Sequence, residues 1–148
     1  MSGGSKSQTT GYRYYMGLHM SICQGPVDAL LKINAGDRTA WTGSVTASGS
    51  TTIIAPELFG GDEREGGING TLDVMMGEPT QATNSYLASL QGTPQPAYRG
   101  ILGIVFRRGQ ISSNNPYIKP WAFRVRRILK GWQSDAPWYS AKAAITLP

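Results

Sequence analysis

Between Tyr12 and Ile22 every second residue is large and apolar: Tyr12, Tyr14, Met16, Leu18, Met20 and Ile22 alternate with Arg13, Tyr15, Gly17, His19 and Ser21. A period of two puts all six apolar side chains on one face of a β-strand. Pro26 cannot donate to a ladder, so the strand is expected to end at Gly25-Pro26-Val27-Asp28. Weaker alternation through Leu31 and Ile33 predicts a strand over Ala29 to Asn34. Ala35-Gly36-Asp37 then supplies hairpin-turn chemistry before a strand from Arg38 to Trp41. Val45 to Ala47 and Thr51 to Ile54 flank Ser48-Gly49-Ser50 and predict a second hairpin.

The stretch from Pro56 to Gly70 is too rich in glycine for regular structure and is expected to form a long ordered loop. Phe59 and Ile68 would anchor it, with Asp62, Glu63 and Glu65 facing solvent or a basic neighbour. Thr71 to Met76 alternates again with Leu72, Val74 and Met76 inward, and Gly77-Glu78-Pro79 ends it. A single short helix is predicted over Asn84 to Gln91, capped by Asn84 or Ser85 and closed by Gly92, burying Tyr86, Leu87 and Leu90. Two further strands are expected, Gly100 to Arg107 and Trp121 to Leu129, separated by a structured turn over Gly109 to Pro120. The pattern defines a mainly β, or β-rich α+β, protein of antiparallel sheets, barrel-like, with one short helix. Residues 1–10 read as a flexible arm that a neighbour would order, and 11–148 as one domain. The tail from Gly131, with two tryptophans and two prolines, is expected to pack against something.

Composition removes several function classes. Cys23 is the only cysteine, which excludes an intramolecular disulfide or a cysteine zinc site and leaves an ordinary strand residue. No stretch reaches membrane-spanning length, and the N-terminus lacks the apolar core of a signal peptide, so a soluble protein made in a cytoplasm is expected, with no membrane partner. Without a secretory signal, the glycosylation pattern Asn69-Gly70-Thr71 reads as chance. His19 is the sole histidine and sits in the alternating strand with no nucleophile motif beside it, so catalysis finds little support. Asp62, Glu63 and Glu65 lack EF-hand spacing, and no Gly-Lys-Ser/Thr follows the glycines. No metal or other cofactor is expected.

Charge is unevenly distributed. Up to Thr80 there are five basic and eight acidic residues, net −3; after it there are nine basic and one acidic, net +8. A molecule acidic at one end and basic at the other suits head-to-tail assembly or a nucleic-acid surface. In Trp121-Ala122-Phe123-Arg124-Val125-Arg126-Arg127 the apolar residues Trp121, Phe123 and Val125 share one strand face, and Arg124 and Arg126 project from the other. Single-strand readers put aromatics and cations on the same exposed face. The segregation favours a core face and an interface stripe over a nucleic-acid site, which stays the runner-up.

Several pieces, in order, resemble one family. They are the leading Gly/Ser/Lys arm, Ser21-Ile22-Cys23-Gln24-Gly25-Pro26-Val27-Asp28, Phe59-Gly60-Gly61 through Glu65-Gly66-Gly67-Ile68-Asn69-Gly70, Tyr98-Arg99-Gly100, and Pro116-Tyr117-Ile118-Lys119-Pro120-Trp121. Together they resemble the N-terminal region of phage tail-tip proteins, the lambda-type tip-attachment, host-specificity or baseplate-hub proteins of long non-contractile tails. The resemblance implies a trimeric virion hub that caps the distal tail tube and contacts the distal tail protein, the tape-measure protein and other tail-tip proteins. It marks Gly25, Pro26, Val27, Asp28, Phe59, Gly60, Gly61, Glu65, Gly66, Gly67 and Gly70 as motif residues. Candidate interface residues are Tyr98, Arg99, Tyr117, Lys119, Pro120, Arg124 and Arg126. Members of that family run on for many hundreds of residues, so a truncated or split product, or a first hub domain alone, is expected here. Adsorption specificity is not carried over.

Overall fold

The computed structural model describes residues 11–127. Its strands are β1 (Arg13–Gln24), β2 (Ala29–Ala35), β3 (Arg38–Val45), β4 (Gly49–Ala55), β5 (Ile68–Met75), β6 (Ile101–Ser113) and β7 (Trp121–Arg126); helix α1 (Ser85–Gln91) lies between β5 and β6. They form two antiparallel sheets, one of order β1-β6-β5-β4 and one of order β3-β2-β7. The mainly β class with one short helix is what the alternation predicted. The sheets do not close into a barrel.

Both sheets contribute to one apolar core. Leu30 and Ile33 of β2 meet Ile53, Leu72, Val74, Leu102, Ile104 and Phe106 of the larger sheet, and Trp121 stands edge-on to Phe106 with ring centroids 5.3 Å apart. A smaller cluster of Met75, Leu87 and Val105, flanked by Tyr86 and Tyr98, packs α1 on the opposite face of the four-stranded sheet. β5 and β6 are therefore covered on both sides. That is why Asp73 and Met75 are buried beside the expected Leu72, Val74 and Met76.

α1 begins as its cap predicts, with Asn84 Oδ1 accepting from Leu87 N, and ends at Gly92, whose N–H donates to Ala88 O. Leu90, expected inside, is 64% exposed, because so short a helix turns only Leu87 and part of Tyr86 toward the sheet. In β7 the alternation holds: Trp121, Phe123 and Val125 are half-buried and Ala122, Arg124 and Arg126 exposed. The hairpin at Gly36-Asp37 also forms, Gly36 at φ +58°.

Elsewhere tertiary pairing altered the reading. Tyr14, Leu18, Met20 and Ile22 do pack against the core, but Tyr12 is 67% exposed and Met16 is exposed too. β1 is an edge strand whose register with β6 shifts at three places, and each extra residue turns the following side chains to the other face. In β2 a bulge at Leu31 likewise places Leu30 rather than Leu31 in phase with Ile33 inside.

The second hairpin does not exist. β3 pairs with β2 and β4 with β5, so the chain crosses between sheets at Thr46-Ala47-Ser48. Ser48 fixes the crossing, its hydroxyl donating to Glu78 Oε2 at 2.6 Å and accepting from Met76 N at 2.9 Å. The glycine-rich loop ends at Gly67, since Ile68, Asn69 and Gly70 already belong to β5. β6 runs six residues beyond the expected Arg107, through Gly109 to Ser113. Gly70 and Gly109 are glycines within these strands for one reason: a Cβ on either would lie within 2.8 Å of the Phe106 ring. The arm 1–10, the end of the predicted Trp121 to Leu129 strand and the tail from Gly131 lie outside the described residues.

Candidate interaction site

The glycine-rich loop is the most elaborately tied segment. After Pro56 it doubles back through Gly61 and Gly66, which exchange backbone hydrogen bonds of 3.2 and 2.7 Å, and Phe59 N also donates to Gly66 O at 2.8 Å. Gly60, Gly61 and Gly66 hold φ of +97°, +72° and +71°, a region side chains avoid. Gly67 is required for space, because a Cβ there would come 2.1 Å from Ala55 O. Phe59 and Ile68 are buried, as anchors should be.

Two of the loop's acids find basic partners within the same chain. Arg13 Nε donates to both Asp62 oxygens, at 3.0 and 3.1 Å, and Ser113 Oγ donates to Asp62 Oδ1 at 2.9 Å. Glu65 accepts from Lys119 Nζ at 2.6 Å and Asn115 Nδ2 at 3.0 Å, while Asn114 Nδ2 donates to the carbonyls of Asp62 and Arg64 at 2.8 Å each. Hydrogen bonds from Arg13 and Ser113 hold the Asp62 carboxyl below its usual range, and those from Lys119 and Asn115 do the same for Glu65. Lys119 also lies over the Phe59 ring, 5.0 Å from its centroid. The motif residues thus knit the loop to the start of β1, the end of β6 and the β6–β7 connection. Gly25, Pro26, Val27 and Asp28 form a second buried point, where a Cβ on Gly25 would meet Met76 O at 2.7 Å.

The candidate interface residues fall in three separate places. Tyr98 and Arg99 are on the α1 side of the larger sheet, Tyr98 edge-on to His19 at 4.5 Å and Arg99 donating from Nε to Gln81 O at 3.0 Å. Tyr117, Lys119 and Pro120 are in the β6–β7 connection, with Tyr117 exposed, Lys119 on Glu65 and Pro120 O accepting from Gly36 N at 2.8 Å. Arg124 and Arg126 lie on the outer face of the smaller sheet. His19 is half-buried, and burial lowers its pKa.

Two features escaped the sequence reading. One is Asp73, a buried carboxylate that accepts from Ser50 Oγ (2.7 Å), Asn84 Nδ2 (2.7 Å) and Arg107 Nε (3.0 and 2.9 Å), with Arg107 Nη2 at 2.8 Å. It falls on the polar phase of the alternating Thr71–Met76 run, so only the helix covering that face shows its importance. The other is an apolar groove of about 580 Å³ at the mouth between β1 and β7, lined by Leu18, Met20, Ile22, Ile118, Trp121 and Phe123. Tyr15 and Met16 are exposed farther along the same edge strand, and Tyr12 just before it.

The two charged halves of the sequence are not two ends of the molecule. β6 lies between β1 and β5, β7 pairs with β2, and Asp73–Arg107 and Glu65–Lys119 join the acidic half to the basic one. Among the described residues no group of three or more His, Cys, Asp or Glu side chains is placed to hold a metal, and no helix is long and apolar enough to cross a membrane. No protein-family model matches this sequence, and no curated protein matches it.

Proposed function

We propose that this chain is a structural hub domain of a phage tail tip, not an enzyme, capping the distal tail tube as a homo-oligomer, a trimer by resemblance. Its partners are the distal tail protein, the tape-measure protein and other tail-tip proteins, and its location is the virion after synthesis in the host cytoplasm. One observation carries the reading: a 12-residue edge strand exposes Tyr15 and Met16, Tyr12 is exposed just before it, and the strand borders an apolar groove. Free edges and contiguous apolar surface favour association with another chain. The motifs behind the resemblance also form the tied loop, so a rigid, loop-bearing β scaffold supports the same reading.

Electron microscopy of the purified chain, with immunogold labelling of phage particles, tests the proposal. Rings of the isolated protein and label at the tail end are expected. A strictly monomeric protein with no label on particles refutes it. A basic β-rich nucleic-acid-binding module is the second reading, favoured by the exposed Arg124 and Arg126. It forecasts salt-sensitive DNA or RNA affinity dependent on those arginines.

A further inference from the structure

The three strands of the smaller sheet contain Lys32, Arg38, Arg124 and Arg126 and not one acidic residue. Lys32 stands directly opposite Arg124 in the β2–β7 ladder, on the outer face, and Arg126 follows two residues along the same strand. Like charges in such a pair repel. Among the described residues none of the three cations forms a salt bridge. Asp28 and Asp37 flank the sheet; Asp28 is buried and engaged in its own contacts, and Asp37 is exposed at the β2–β3 turn.

Beside the cations is a depression of about 210 Å³ lined by Lys32, Asn34, Ala122, Phe123 and Arg124. The face therefore presents a repelling cation row with no acid of its own strands to balance it. An incoming segment that brings carboxylates supplies that balance.

We propose that the outer face of the β3-β2-β7 sheet docks an extended acidic segment of a partner protein, with carboxylates at alternate residues. Arg124 and Arg126, two residues apart on one strand, are about 6.7 Å apart along it, the spacing of alternate side chains on an extended partner. The partner's carboxylates relieve the Lys32–Arg124 repulsion. A nucleic acid fits less well: none of the large exposed apolar side chains is on β2, β3 or β7, so the face has no stacking platform, and three cations make a short track for a phosphate backbone. The proposal does not depend on a tail-tip role.

The test uses the full chain and a labelled ten-residue peptide of alternating Glu and Thr, with a 15-nucleotide thymidine oligonucleotide as the competing probe, both followed by fluorescence anisotropy at two salt concentrations. The Arg124→Gln/Arg126→Gln variant is compared with Arg64→Gln/Arg108→Gln, which removes the same charge from exposed sites elsewhere. Peptide affinity should fall at least tenfold in the first variant and less than twofold in the second, with unchanged melting in both. Lys32→Gln, a single change at the same face, should give an intermediate loss and keeps the test intact if the double variant folds poorly. Equal losses in the two double variants, or no peptide binding by the native chain, would overturn the proposal by reducing the effect to net charge or to nothing. Arginine-dependent oligonucleotide binding tighter than the peptide would overturn it in favour of a nucleic-acid surface.

Discussion

Replacing Asp73 by asparagine keeps the shape of a buried side chain and removes one of its two acceptors. Its carboxylate receives Ser50 and Arg107 on Oδ1, and Asn84 and Arg107 on Oδ2. An amide placed there keeps one acceptor and turns an NH2 group toward another donor. The oxygen therefore stays with Asn84 Nδ2, which can only donate and cannot flip because its Oδ1 caps α1 at Leu87 N, and the NH2 donates to the Ser50 hydroxyl, which turns to accept. Both bonds survive but lose the charge on the carboxylate, about 1 kcal/mol each from the difference between charged and neutral hydrogen bonds. Arg107 is 38% exposed and finds water, so its share is discounted to under about 1 kcal/mol. A total near 2–3 kcal/mol follows, read as a lower urea midpoint at constant m by tryptophan fluorescence.

The acid dependence supplies a second readout. Burial alone would raise the Asp73 carboxyl, but hydrogen bonds from Arg107, Asn84 and Ser50 outweigh it and the folded value lies below the ordinary 3.8. A depressed carboxyl stabilises the fold fully above its unfolded value, and that stability is lost as pH falls below about 4 through the folded value. The Asp73→Asn variant should lose this part of the acid slope. A midpoint shift under about 0.5 kcal/mol together with an unchanged acid slope would refute the reasoning.

Three other outcomes are expected. Phe59→Ala should cost about 3 kcal/mol or more, because the ring is buried and also carries Lys119; an unchanged melting curve would show that it anchors nothing. Gly66→Ala should destabilise by at least about 1 kcal/mol, since φ is +71° and the new Cβ would meet Ser113 N at 2.6 Å; a neutral result by chemical denaturation contradicts the loop geometry. Neutralising Asp62, Glu63 and Glu65 together should alter assembly more than folding. The Asp62 and Glu65 carboxyls are both depressed, so their pairings should persist above about pH 4 and fade below it, a change that side-chain NMR titration of the two carboxyls reads directly.

Local chemistry was enough for a good part of this protein. Asn84 and Gly92 delimit α1, Gly36-Asp37 makes its hairpin, and the alternation from Trp121 to Arg126 divides core from surface, because each depends on a few neighbouring residues. Phe59 and Ile68 were legible as anchors for the same reason, being large apolar residues stranded among glycines. What the sequence could not decide is which strand pairs with which. Thr46 to Ser48 reads as turn chemistry whether the chain folds back or crosses to another sheet, and only the bonds from Ser48 to Glu78 and Met76 select the crossing. Gly70 and Gly109 look like loop residues until the Phe106 ring lies across them. Leu31 and Met16 fall out of phase because bulges arise between paired strands and leave no mark on a period of two. The opposed charges of the two halves end as neighbours for that same reason: pairing brings β6 between β1 and β5, and long-range contacts decide where a side chain's partner is.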